Sequence, residues 1–330
     1  MIKLENKISV AVCTYNGEKY IEKQLNSILN QTLSVDEIVV CDDCSSDKTI
    51  AILNSFKDKF PSIFRIYSNP ENLRSNKNFE KAISLCTGDF IFISDQDDLW
   101  RPEKVATIIN VFKSNPSAEG VFSDANFIDE NDNEIYKEMS LWQSVCFFDR
   151  QNDIPINLYE SLINIGNFLT GATLCLRKEV LPFCIPFETI DSFIHDEWLA
   201  YVLSKRNTLF LTKEKLISYR LHSNQQLGVG KIKNAKKKLI KNEKNNKIIL
   251  NIIPAKNYYD FKAKSRAYFS QYEKYYFLNK KYENENYHEI SETLKQKHLE
   301  TEIEMKKSNL ILYLIRKYKD QIKKRRQIHK

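Results

Sequence analysis

Over residues 8–98, short apolar runs alternate with longer stretches in which apolar residues recur every three or four positions, the pattern of β-α-β units around a parallel sheet. "ISVAVC" reads as a first strand. "GEKYIEKQLNSILNQ" follows as a helix with Tyr20, Ile21, Leu25, Ile28 and Leu29 at helical spacing, and "EIVVCDD" is a second strand that ends in acids. A helix from "SSDKTIAILNSFKDKF" comes next, with Ser46 or Asp47 as its N-cap. "FRIYSN" makes a third strand and "NKNFEKAISLC" a third helix, and Gly88 marks the turn into the apolar run of "DFIFISDQDD". Ligands of such sheets sit beyond the carboxyl ends of the strands. Three of those ends carry polar clusters: Thr14, Tyr15 and Asn16; Asp42 and Asp43; and Asp95, Gln96, Asp97 and Asp98.

Over residues 117–230 the alternation weakens. "AEGVFSDANFID" is a further strand with an acidic exit, and "NFLTGATLCLRKEVL" is a strand entering a helix, where Gly171 permits close backbone approach. "IHDEWLAYVLSKR" is an amphipathic helix with Trp198, Leu199, Val202 and Leu203 inward and His195, Asp196 and Glu197 in its first turn. Beyond Lys231 the chain is rich in Lys and Asn, with helical periodicity and hardly a turn signal except Pro254, so residues 231–330 read as a helical appendage to a domain over 1–230.

Charge sharpens this division. Residues 231–330 hold 27 of the 50 Lys and Arg but 11 of the 43 Asp and Glu, a net charge of +16, while residues 1–230 are at −9. The final stretch, "NLILYLIRKYKDQIKKRRQIHK", places Leu310, Leu312, Tyr313, Ile315 and Ile322 along much of one helix side and Lys and Arg on the other. That is the composition of a helix drawn to anionic lipid, or of one packed on protein with its lysines solvated. The acidic first part weighs against nucleic acid as the partner. No stretch approaches the roughly 20 apolar residues needed to span a bilayer, and Met1 to Lys7 lacks a signal-peptide pattern. The expectation is a cytoplasmic protein, peripheral on the inner face of the membrane if the basic helices meet lipid. Seven cysteines, mostly in apolar runs, argue against a disulfide framework, and Cys41 and Cys44 have no second C-x-x-C with which to build a zinc site.

The chemistry concentrates after the strand "FIFIS". The plainer reading of Asp97 or Asp98 is a cap on the helix "RPEKVATIINVF", but capping uses one carboxylate and the stretch supplies three. Asp95 and Asp97, two positions apart in an extended segment, point to one side and suit a hard divalent cation such as Mg²⁺ or Mn²⁺, which commonly bridges to substrate phosphates. No G-x-G-x-x-G follows the first strand, which disfavours a dinucleotide-binding dehydrogenase.

Taken together, "SVAVCTYNGEKYIEKQLNSILNQT", "EIVVCDDCSSDKT", "SNPENLRSNKNFEKAI", "TGDFIFISDQDDLWRPEKV" and "HDEW" resemble the nucleotide-sugar-dependent family 2 glycosyltransferases of the GT-A fold. "SDQDDLWRPEK" and "YRLHSNQQLG" look most like the branch that holds rhamnosyltransferases of bacterial surface polysaccharides. The resemblance covers roughly residues 7–228 and implies an α/β fold, a Rossmann-like mixed sheet flanked by helices. It implies a donor pocket lined by Thr14, Tyr15 and Asn16, with Asp43 accepting from a pyrimidine N3–H, Asp42 supporting the loop, and Lys77 and Asn78 near ribose and phosphates, although "RSNKNFEKA" departs from the usual Gly and Ala. Asp95 and Asp97 would be the D-x-D pair on a metal-bound diphosphate, with Gln96 between them on the nucleotide-sugar side. Asp196 would be the base, with Glu197 as rival and His195 where Glu is frequent. The helix dipole would keep Asp196 ionised. His222 would be a third metal ligand, unless it is a surface or hydrogen-bonding residue.

Trp100 and Trp198 are placed to stack on a sugar or to fill the core, and Trp142, Phe147 and Phe148 lie in a stretch read as an acceptor loop. The implied activity is inverting, metal-dependent transfer of a sugar, rhamnose first, from a UDP- or dTDP-linked donor to a hydroxyl of a lipid-linked glycan. The competing reading is a module that binds nucleotide sugars without transferring them.

Overall fold

A computed structural model describes residues 6–145, 147, 157–222, 241 and 244–328, with side chains described as far as residue 320. The described residues divide into two compact units. One holds those up to residue 159 together with 167–222, and the other holds Glu160–Gly166 and those from 241 onward. Glu160–Gly166 thus groups with the second unit, although the sequence reading places it in the first.

The first unit is built on one nine-stranded sheet. Strands β1 (Ile8–Thr14), β2 (Glu37–Asp42) and β4 (Phe90–Ser94) are buried throughout, which explains their unbroken apolar runs: interior parallel strands are covered on both faces. With β3 (Phe64–Ser68) they form a parallel array in the order β3-β2-β1-β4, joined through helices α1 (Ile21–Leu29), α2 (Thr49–Lys59) and α3 (Arg74–Leu85). The register pairs Thr14 with Asp42 and Val12 with Ser94, so the polar exits of these strands share one edge.

The parallel pattern stops there. Beyond β5 (Leu99–Trp100) and α4 (Lys104–Ser114), strand β6 (Gly120–Ile128) runs antiparallel to β8 (Leu174–Arg177), which is itself antiparallel to β4. The two-residue β7 (Glu134–Ile135) pairs with the end of β6. Strand β9 (Leu209–Arg220) lies parallel to β6, with register shifts around Asp124, and antiparallel to β5. The parallel array expected from residues 8–98 is β1 to β4, and the whole is the mixed sheet that the resemblance implies, since β5, β7 and β8 pair antiparallel with their neighbours. Between β7 and β9 come the short α5 (Leu141–Ser144), α6 (Leu158–Ile165), the short α7 (Leu181–Cys184) and α8 (His195–Lys205). Helix α8 is buried from His195 to Ser204 on every side rather than on one face.

Neither Ser46 nor Asp47 is the N-cap of α2. Lys48 holds that position without a side-chain bond, and Asp47 instead accepts from the Thr49 and Glu18 amides one residue earlier.

In the second unit, α9 (Tyr258–Tyr282) and α10 (Glu285–Ser308) form a helical hairpin, and α11 (Leu310–Ile328) follows. The turns absent from the sequence reading are made by asparagines. Asn257 and Asn284 cap α9 and α10 through their side chains, and Glu283 between them adopts a left-handed φ of 49°. Tyr268, Tyr275, Leu278, Tyr287, Leu294 and Met305 fill the hairpin core. Arg316 and Lys317 reach Glu302, each at 2.8 Å, which ties α11 back to α10. The apolar face expected on this last helix divides. Leu312 and Tyr313 are half-buried, Leu310 and Ile315 are exposed, and the side chain of Ile322 lies outside the described residues.

At Gly88 an added Cβ would lie 2.7 Å from the Lys7 carbonyl oxygen and 2.8 Å from the Ser9 amide nitrogen, both backbone atoms of the sheet edge. Gly88→Ala should therefore lower the stability of the first unit by about 2 kcal/mol or more, read as the urea midpoint; an unchanged midpoint contradicts this packing.

Candidate active site

The polar strand exits open onto a cleft of about 760 Å³. Of the residues singled out from sequence, Thr14, Tyr15, Asn16, Asp43, Asn78, Asp95, Gln96, Asp97, Asp196 and His222 all line it. Asp42 and Lys77 do not. Asp42 lies beneath, accepting from Thr14 Oγ1 at 2.8 Å and from the Ser45 hydroxyl and amide at 2.6 and 2.9 Å, so it braces the turn after β2. Lys77 stands on the exposed side of α3, and its ammonium is held by Glu80 at 2.9 Å rather than directed at the cleft.

Several lining side chains also hold the loops in place. Asp43 accepts the Leu73 and Arg74 amides at 2.7 and 2.9 Å and the Asn69 amide group at 2.8 Å, fixing the approach to α3. Asn78 donates to the Cys41 carbonyl at 2.9 Å. Gln96 forms a reciprocal pair with Tyr15, accepting from its amide at 2.9 Å and donating to its carbonyl at 3.0 Å, which joins the end of β1 to the acidic turn. Gly17 makes room for this clamp, since a Cβ there would lie 2.3 Å from Gln96 Oε1.

The acidic turn, residues 95–98, links β4 to β5. Neither Asp97 nor Asp98 caps the following helix, whose N-cap is Glu103. Asp98 faces inward and accepts the Arg220 amide at 3.0 Å, while the fully buried Arg220 guanidinium donates from Nε to the Asp97 carbonyl at 2.7 Å and from Nη1 to the Asp129 carbonyl at 2.7 Å. Sequence reasoning missed Arg220, whose one signal is its place two residues before His222. Burial, then Asp97 and Asp95, push the Asp98 carboxyl well up. Burial, then Asp97 and Asp196, push Asp95 up to about 7.

A cation would relieve this repulsion. No three His, Cys, Asp or Glu side chains among the described residues converge into a cage for one, so Asp95, Asp97 and His222 do not form the expected three-ligand set. His222 Nε2 lies 2.8 Å from Asp97 Oδ2, and the two are bonded to each other. His222 is not a surface residue, since its side chain is 9% exposed. That spacing is close to the roughly 3 Å edge of an octahedron around Mg²⁺, an ion that usually takes one or two carboxylates and completes its shell with water and phosphate. The oxygen and imidazole donors also suit Mn²⁺. The residues fit an ion shared between protein and a phosphate ligand.

Asp196, at the start of α8, is buried and accepts from its neighbour's amide, Glu197 N, at 2.7 Å and from Asn167 Nδ2 at 3.1 Å. The helix N-terminus was expected to keep it ionised, but burial, then the Glu197 charge, outweigh that and push its carboxyl up to about 7. Glu197 is buried and does not line the cleft, which leaves Asp196 as the accessible carboxylate of the pair. His195 also lines the cleft. Its ring stacks on Phe79 at 4.4 Å, and burial pushes its pKa down to about 3, so it is neutral. Asn76 Oδ1 accepts the His195 amide at 2.9 Å, and His195 Nδ1 lies 3.3 Å from Asn76 Oδ1 and 3.5 Å from the Ser75 hydroxyl. Sequence alone gave no signal for Asn167 or Asn76.

The aromatic residues resolve differently. Trp100 is core, beneath the Lys104 ammonium at 3.7 Å, and Trp198 is core, donating to the Cys184 carbonyl at 2.7 Å. Trp142 and Phe147 pack with Phe122 in a buried cluster, and Phe168, stacked on Phe147 at 4.7 Å, reaches the cleft wall. Ser144 and Val145 from the same stretch line the cleft, and Phe148 lies outside the described residues. The described cysteines are free thiols, and Cys44 donates to the Asn69 carbonyl.

Residues 9–163 match the family model described as Glycosyl transferase family 2. The chain is 29% identical over 238 residues to a dTDP-rhamnosyl transferase, RfbG, of Shigella flexneri, covering 66% of this chain and 73% of that protein. It is 27% identical over 220 residues to a glycosyltransferase of Nostoc sp., covering 66% of this chain and 65% of that protein's length. Residues 1-349 of S. aureus TarS share the fold, with a TM-score of 0.50 at 18% identity over 88% of this chain and 91% of that one. The family match ends before Asn167, so Asp196 and His222 lie outside it.

A carboxyl whose pKa is raised by folding costs stability as pH rises from the ordinary carboxylate range through its folded value. For Asp196 the cost is complete above about 7. Asp196→Asn, which stays neutral, should raise the melting temperature relative to wild type at pH 8 and not at pH 4, measured without divalent cation. An equal difference at both pH values contradicts the raised pKa.

Proposed function

From the match of residues 9–163 to glycosyl transferase family 2 and the likeness to the Shigella transferase, we propose that the chain is an inverting, metal-dependent glycosyltransferase that moves a sugar from a pyrimidine nucleotide donor to a hydroxyl of a glycan. The observation that carries this reading is the gathering in one cleft of the acidic turn, the Asp97–His222 pair and the buried Asp196 carboxylate. Asp97 and His222 would hold Mg²⁺ or Mn²⁺, which when bound stabilises the charge growing on a diphosphate leaving group. Thr14, Tyr15, Asn16 and Asp43 form the part of the cleft wall suited to the nucleoside.

Asp196 is the base. It takes the proton of the acceptor hydroxyl as that oxygen bonds to the anomeric carbon and the bond to the diphosphate oxygen breaks. A carboxyl held near pH 7 by burial is matched to that task, strong enough to accept the proton and still ionised in half the molecules at neutrality. Asn167, on one Asp196 oxygen, keeps the carboxylate oriented. A single base on one side of the sugar inverts the anomeric centre.

The Shigella relative makes dTDP-rhamnose the first donor to test, with UDP-hexoses behind it. The acceptor we propose is a lipid-linked surface glycan, which the protein would meet at a membrane; no helix among the described residues is long and apolar enough to cross one.

The test is a transfer assay by mass spectrometry, with donor binding measured in parallel. Asp196→Asn should keep donor binding and lose transfer by about 10² to 10⁴-fold, and Asp97→Ala should lose both metal-dependent binding and transfer. Near-normal turnover in Asp196→Asn removes it as the base. Donor binding by wild type, without turnover on any lipid-linked glycan tried, favours the non-catalytic module.

A further inference from the structure

Helix α11 (Leu310–Ile328) has two faces, and one of them is accounted for within its own unit. Arg316 donates to Glu302 at 2.8 Å and lies 3.3 Å from Met305 Sδ, and the Tyr258 hydroxyl donates to the Leu312 carbonyl at 3.1 Å. The other face carries Ile311, Leu314, Ile315 and Tyr318 at the i, i+3, i+4, i+7 spacing of a single stripe. These side chains are 71%, 55%, 45% and 66% exposed, and Leu310 beside them is 50% exposed. Among the described residues nothing covers the stripe. A helix already docked by its opposite face has no need of it for folding, so the stripe suits an external surface.

Charge selects that surface. The helix sequence contains seven Lys and Arg and one Asp; Arg316 belongs to the docked face, while Lys317, which reaches Glu302, and Lys319 are exposed. A second copy would bring two such helices together with no acidic row to meet either. A nucleic acid would use the cations but leave the isoleucines and leucine in water. A bilayer rich in anionic lipid takes both: the apolar side chains enter the headgroup–acyl boundary and the cations meet phosphate. We propose that α11 lies flat in an anionic membrane surface, with Ile311, Leu314, Ile315 and Tyr318 as the inserted face. This goes beyond the transferase reading and does not need it, because lipid binding is measured without turnover.

The experiment uses the full chain and vesicles of phosphatidylcholine with and without phosphatidylglycerol. Wild type should co-sediment with the phosphatidylglycerol vesicles, and added salt should weaken but not abolish the binding, as expected where apolar contact adds to charge. Replacing Ile311, Leu314, Ile315 and Tyr318 together by Ser should weaken it on the order of 100-fold, with helix content and cleft-ligand melting shift unchanged. Equal binding by wild type and the Ser variant overturns the proposal. So does a failure of wild type to bind, or light scattering that shows a dimer dissociated by the four substitutions.

A milder variant keeps the test sound if the fourfold one misfolds. Tyr318→Trp should show blue-shifted emission on vesicles and quenching by brominated acyl chains, since Trp100, Trp142 and Trp198 are buried. Binding without quenching would place the helix above the acyl boundary and overturn insertion.

Discussion

The cleft depends on one constraint: a turn carrying Asp95, Asp97 and Asp98 must be held closed against its own repulsion at the buried end of β4. Arg220 supplies the restraint. Its guanidinium sits out of water on the carbonyls of Asp97 and Asp129, and its amide meets Asp98, so the last residue of β9 pins the turn after β4. A buried charge is tolerated only when it is paired and its hydrogen bonds are met nearby; Arg220 pairs with the Asp132 carboxylate at 2.6 Å, and its other bonds run to Asp129 and to the turn. Two residues further on, His222 reaches Asp97, so pinning the turn also sets the pair suited to an ion.

Lys104 adds a second tie. Fully buried, it donates to the Ala172 carbonyl at 2.8 Å and sits over Trp100, and burial pushes its pKa down to about 7 against the pull of Asp98. It connects the helix after the acidic turn to the segment Gly171–Thr173. The Gly171 amide supports the Asp196 carboxylate, and a Cβ at Gly171 would lie 3.2 Å from His195 Nε2. The acidic turn and the candidate base are therefore mechanically linked, although Asp98 and Asp196 are far apart in sequence. Of the carboxyls that line this cleft, Asp95 and Asp196 are raised to about 7, first by burial.

Much of this was legible in the sequence where local pattern decides the outcome. The apolar runs at "ISVAVC", "EIVVC" and "FIFIS" identify buried strands, and acids at their ends identify a mouth, because no buried strand can end in three carboxylates without solvent or a partner. What was not legible depends on partners distant in sequence. Arg220 reads as an ordinary basic residue until β9 is laid against β5, and nothing local to Asp43 shows that, besides lining the cleft, it accepts the Leu73 and Arg74 amides. Asp196 reads as ionised from its place at a helix start, and burial, then the Glu197 charge, raise it to about 7 instead. On the last helix the apolar content is visible, but Leu312, read on one side with Leu310 and Ile315, is half-buried while those two are exposed, and the face that meets protein is set by Glu302 and Tyr258.

We propose that the acidic turn, with His222, holds a divalent cation against the diphosphate of a pyrimidine nucleotide. The most direct measurement is calorimetric titration of the wild-type chain with UDP and dTDP, each with and without Mn²⁺. The account predicts binding of a pyrimidine diphosphate that requires the ion. Binding of equal strength without Mn²⁺, or none with either nucleotide in its presence, would contradict it.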